Sequence, residues 1–361
     1  MRRASVGIII ASMLWASSAL AQVQTPGTRI PTPLRGTVTG FDFKCNGNQS
    51  YPEIEARGER EGWVDLRFTS KADGSIADIT IRSLFGSTDF AEAAARALAK
   101  CRIVNPQQEN GVAVDTANVP MRFFYRISTP GRTNTPGIAE KMQKVQSLLT
   151  AGDLDGAETL LDEVEAESTR IHEVANALLR RSVIMVKRGR SDIALRYVQQ
   201  MPMNSNVIAT TDSGGLLRTR LGIELTLGLV ADAEETATKL EQEGIDLKGD
   251  PLLEGLNRLR AIGQSGQPLG VSGRIPTECR PVICDMAKPD WSYVPTHRML
   301  SLTNVNGRVD MVSIRCNRKT YETKAAADVT WSVPAKWGNC QISVSGDPGT
   351  TFTLIDEMPP G

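Results

Sequence analysis

The sequence predicts an α+β chain in three parts: a β-β-α-β unit, a short solenoid of helical hairpins, and a small disulfide-stapled β domain. Three observations carry that prediction. Between residues 51 and 127 the apolar pattern passes from alternation to a helical period and back to alternation. From 137 to 262 a glycine stands five residues before an alanine three times over. Beyond residue 270 four of the six cysteines gather with Trp291, Trp331 and Trp337 among alternating stretches. A chain of 361 residues also exceeds one ordinary core, since domains run to roughly 100 to 200 residues.

The first element is Met1-Arg2-Arg3, then an apolar run from Val6 to Trp15, then small residues ending Ala19-Leu20-Ala21 before Gln22. This is the layout of a secretory signal peptide, residues 1–21. The competing reading is a retained anchor, but a span takes about 20 predominantly apolar residues. This run is shorter and broken by Ser12, Ser17 and Ser18. Arg2-Arg3 also admits the twin-arginine route, although the following residues favour the general one. Export to an oxidising compartment would pair the six cysteines as Cys45 with Cys101, Cys279 with Cys284 and Cys316 with Cys340. The last four by themselves permit three connectivities. A zinc site is disfavoured, because Cys279 and Cys284 have only His297 near them in sequence. Acidic and basic residues balance at 41 each, so no overall field favours nucleic acid.

Residues 22–48 read as a linker, rich in Pro, Thr and Gly as far as Thr39. In the unit at 49–128, Trp63 to Phe68 alternates as a half-buried strand, Asp73-Gly74 supplies a tight turn, and Ile76, Ile79 and Ile81 mark the returning strand. Thr88 and Asp89 are placed to cap a helix through Ala93, Ala94, Ala97 and Leu98 to Cys101. Val119 to Ile127 is the last strand.

These residues resemble the C-terminal domain of the TonB family. The family's opening Tyr-Pro is Tyr51-Pro52, its spaced glycines are Gly58 and Gly62, and its alternating strand and Asp-Gly turn are Val64, Leu66, Phe68 and Asp73-Gly74. Its Ser, helix-starting Phe, paired alanines and Ala-Leu are Ser83, Phe90, Ala93-Ala94 and Ala97-Leu98. Its Trp-Arg-Phe and Pro become Cys101-Arg102-Ile103 and Pro106, so a cysteine replaces the tryptophan and the proline falls one residue late. The resemblance, with Cys45 upstream, implies a disulfide tying the helix end to the segment before the domain.

The helical part, 137–262, contains Gly152 with Ala157, Gly189 with Ala194 and Gly228 with Ala233. The copies stand 37 and 39 residues apart, longer than the roughly 34 of the tetratricopeptide repeat they resemble. Glycine would end one helix and alanine would let the next pack closely. Such hairpins offer a protein-binding face or serve as a spacer, and repetition alone does not choose. The last part, 270–361, has strand patterns at Met299–Thr303, Val309–Ile314, Val329–Val333, Cys340–Val344 and Thr351–Ile355, with Asn306-Gly307 as a hairpin signal between the first two.

No catalytic constellation is legible. His172 and His297 are the only histidines, and no nucleophile elbow, phosphate loop or His-Glu-x-x-His occurs. The sequence therefore predicts neither an enzyme nor a cofactor. What the TonB resemblance implies is a protein partner, an outer-membrane or envelope protein, whose extended segment joins the last strand by β-augmentation. The residues so implied are Val119, Met121, Arg122, Phe123, Phe124, Tyr125, Arg126 and Ile127, with Arg122 and Arg126 flanking the partner. The 27 residues from Gln22 to Asn48 span at most about 90 Å, with no membrane span in the mature chain to pull on. The leading expectation is thus a periplasmic adaptor. The alternatives are an energy-transducing TonB-family protein with a retained anchor, and a ligand-binding protein or enzyme acting through the C-terminal β domain.

Overall fold

The computed structural model describes residues 34–35, 41–46, 50–127, 135–201, 210–277, 280, 282–283, 289–326 and 329–359. The expected signal peptide and the Cys279–Cys284 pairing lie outside them. The first elements are β1 (Leu34–Arg35), β2 (Phe43–Cys45), α1 (Glu53–Arg57), β3 (Gly62–Ser70), β4 (Ile76–Phe85), α2 (Thr88–Ala99), β5 (Cys101–Ile103), β6 (Gln108–Glu109), β7 (Val112–Ala113) and β8 (Thr116–Tyr125). An antiparallel sheet runs in the order β1-β8-β3-β4. Apolar residues at alternate positions of β3 and β8, namely Val64, Leu66, Phe68, Val119, Met121, Phe123 and Tyr125, meet Phe90, Ala94 and Leu98 of α2 in one core. Gly62 is required there, since a Cβ would lie 2.5 Å from the Phe85 carbonyl and 2.6 Å from the Phe90 ring. Ser87, one residue before the expected cap, accepts a hydrogen bond from the Asp89 amide at 3.1 Å. The Cys45–Cys101 disulfide joins β2 to β5, which also pair.

Helices follow: α3 (Ile138–Ala151), α4 (Leu154–Glu167), α5 (Ile171–Lys187), α6 (Ser191–Gln200), α7 (Thr210–Leu227), α8 (Val230–Gln242) and α9 (Pro251–Gln264). Gly152, Gly189 and Gly228 follow α3, α5 and α7 at φ of 82°, 70° and 72°, the left-handed region that ends a helix cheaply only for glycine. Ala157, Ala194 and Ala233 are fully buried in α4, α6 and α8. Each glycine–alanine pair thus makes one helical hairpin. Trp63 and Phe124, from the sheet face opposite α2, are buried in the same core as Val174, Leu178 and Tyr197 of α5 and α6.

The remaining strands are β9 (Leu269–Arg274), β10 (Asp290–Tyr293), β11 (Met299–Asn306), β12 (Val309–Cys316), β13 (Thr320–Lys324), β14 (Thr330–Ser332), β15 (Cys340–Gly346) and β16 (Thr351–Glu357). They form two four-stranded sheets, β10-β15-β12-β13 and β14-β11-β16-β9. Trp291, Ile314 and Val344 from the first share a core with Leu300, Trp331 and Leu354 from the second. The Cys316–Cys340 disulfide links β12 to β15. Buried Asp356 accepts hydrogen bonds from Tyr293 Oη at 2.8 Å and from the Thr296 and His297 amides at 2.7 and 2.9 Å. His297 Nε2 lies 3.1 Å from the Gly263 carbonyl, so this knot fastens the end of α9 to the β domain.

Two expectations are corrected. Asn306-Gly307 does not make a hairpin: β11 pairs with β14 and β16, whereas β12 pairs with β13 and β15. Gly307 sits at φ 109°, where a Cβ would lie 2.5 Å from Thr350 Oγ1. That hydroxyl accepts from the Arg308 amide at 3.2 Å, so the chain turns a corner between sheets. The stretch before Thr39, expected as linker alone, supplies strand β1.

Candidate functional site

The last strand of the N-terminal sheet is where the sequence placed recognition, and the fold surrounds it closely. β3 pairs with β8 from Gly62↔Tyr125 to Ser70↔Thr116. On the outer side Leu34 opposes Phe124 and Arg35 opposes Phe123. Farther along, the Ala117 amide donates to the Asn317 carbonyl at 3.0 Å. Val119, Met121, Phe123, Phe124 and Tyr125 are all buried, Phe124 at 4 % exposure. Their side chains hold the domain together, and among the described residues only Phe123 and Phe124 have a strand partner on the outer side.

Arg122 is not a free flank either. Its guanidinium forks onto both carboxylate oxygens of Asp65 and donates to the Gln200 carbonyl at 3.1 Å. Ser83 Oγ lies 2.6 Å from Asp65 Oδ2 and 2.8 Å from Gln200 Oε1. Ser83, placed by the motif near the end of the second strand, thus joins sheet to helix. At the end of the strand the Ile127 amide donates to Glu61 Oε1 at 3.0 Å, and Glu61 Oε2 accepts from the Ile171 amide at 3.0 Å. Ile127 is therefore a structural tie to α5, and Arg126 beside it is half-buried.

Residues 47–124 match the family model described as Gram-negative bacterial TonB protein C-terminal. The resemblance read from the residues is thereby shown for this TonB-like domain. It supports a TonB-like envelope protein or a protein-binding role. No curated protein matches the chain. The two disulfides among the described residues fit an oxidising compartment. Among the described residues no helix is long and apolar enough to cross a membrane, and no three His, Cys, Asp or Glu side chains form a group that could hold a metal ion.

Proposed function

We propose that this chain is a periplasmic protein-binding adaptor, exported with loss of residues 1–21, that takes an extended segment of an envelope protein beside β8. The observation that supports this reading is β1. The chain's own Leu34–Arg35 lies antiparallel on that edge, so the edge already accepts an extended segment. Two paired residues are a weak hold. A partner strand reaching from Phe124 back to Val119 would make more backbone hydrogen bonds than β1 does and would displace it. Recognition then runs through the backbone of Val119, Met121, Arg122, Phe123, Phe124 and Tyr125, while their side chains stay in the fold.

A selection of displayed peptides against the chain starting at residue 41 tests this. Binders should protect β8 amides from exchange and should weaken roughly tenfold when residues 22–40 are restored, the effect of about 1.4 kcal/mol of competition. Binders indifferent to residues 22–40 that leave β8 exchange unchanged would overturn the reading.

A further inference from the structure

Between the TonB-like sheet, α6 and the C-terminal sheet lies a cavity of about 760 Å³, within the usual range for small-molecule sites. Among the described residues its wall carries seven basic side chains against three acidic ones. Most of the cations are already matched. Arg122 holds Asp65, and Arg82 Nη2 lies 3.7 Å from Asp290, whose carbonyl accepts from Arg196. Arg220 bonds Glu224 at 2.6 Å, and Lys239 pairs with Glu235. Arg315 reaches only the half-exposed Glu322 at 3.8 Å, too far for a hydrogen bond.

Arg67 differs. It stands on β3 two residues from Asp65, on the sheet face turned away from α2, and no hydrogen bond or ion pair joins it to another described residue. Burial, together with the neighbouring Arg82, Arg122 and Arg315 and against the pull of Asp65, pushes its pKa down to about 10. A guanidinium recessed among three others is unfavourable as it stands and pre-arranged for an anion, because planar forks match carboxylate and phosphate oxygens two at a time.

We propose that this cavity is a binding site for a small polyanion bearing carboxylate or phosphate groups, with Arg67 and Arg315 as its principal contacts. The site draws on β3, β4 and β8, on α6 and on β10 and β12, so an occupant would fasten the TonB-like domain to the other two parts. It needs no partner protein, and it borders the β8 edge, since Val119, Met121 and Arg122 line its wall.

Calorimetric titration of the full mature chain with pyrophosphate and with citrate at low salt tests it. The expected result is a single saturable site per chain for one or both, weakening as salt is raised. Pyrophosphate alone would mark a phosphate site, citrate alone a carboxylate site, and both the shared chemistry. Arg67→Gln should weaken binding roughly tenfold or more, as loss of charge-assisted hydrogen bonds does. Arg315→Gln, changed at a more accessible position, should do likewise, and Arg258→Gln on the exposed face of α9 should not. Without anion, Arg67→Gln should leave the melting temperature unchanged or raise it. Absence of binding by either probe, or binding equal in the Arg67 and Arg315 variants and wild type, would overturn the proposal.

Discussion

The two edges of the TonB-like sheet are guarded in different ways. β4 protects itself by geometry: its register with β3 slips at Arg82 and again near Asp78, which stands at φ 52°. Such bulges twist an edge away from regular pairing. Ile81 can therefore lie 45 % exposed between them without offering a flat template. β8 is guarded by separate pieces of chain, Leu34–Arg35 on one stretch and Asn317 on another. An edge guarded by its own backbone opens only by unfolding, whereas one guarded by a two-residue strand can exchange that strand for another.

The sharpest contrast is between matched substitutions on the two strands. Phe124→Asp should cost about 4 kcal/mol or more in urea unfolding, because it places a charge where a buried ring joins sheet to helices. Ile81→Asp should stay within about 0.5 kcal/mol, as exposed substitutions do. The sequence places Phe124 among the residues meant to meet a partner; the structure makes it a probe of folding. Next in size, Cys45→Ser with Cys101→Ser should lower stability by about 2–4 kcal/mol, since the disulfide closes a separation of 56 residues.

An effect remote from both edges has to be separated in any pH series. Burial raises Glu224 to about 7, despite its bond from Arg220. A carboxyl raised in the folded state binds its proton more tightly there than in the unfolded chain, so stability should fall as pH rises from about 4.5 to about 7. Glu224→Gln should flatten that slope, by on the order of 3 kcal/mol across the range, in urea midpoints read against pH. The smallest effect distinguishes the edges most finely. Removing residues 22–40 should cost about 1.4 kcal/mol, the same hold that weakens peptide binding about tenfold when they are restored. A loss of several kcal/mol would make β1 a fixed part of the sheet.

Local signals in the sequence reached far into the fold. Gly62, Asp73-Gly74, Phe90 and the paired alanines mark positions where backbone approach or close packing leaves few choices, and Gly152, Gly189 and Gly228 each stand at positive φ before a buried alanine. Signals that depend on distant chain were not legible. Asp65 and Arg67 occupy the polar positions of an alternating strand, which read as a solvated face; α6 and the C-terminal sheet cover that face and make it a cavity wall. Leu34–Arg35 carries no strand pattern because it borrows its order from β8. Asn306-Gly307 is a hairpin signal overruled by Thr350, more than forty residues away in sequence.

The central claim, that β8 carries an exchangeable strand, is tested most directly by amide hydrogen exchange along Val119–Tyr125. The measurement compares the mature chain with the chain starting at residue 41, each alone and saturated with a selected extended peptide. Faster exchange of this segment when residues 22–40 are absent, slowed again by the peptide, is the predicted result. Equal protection in both chains, unmoved by the peptide, would contradict it.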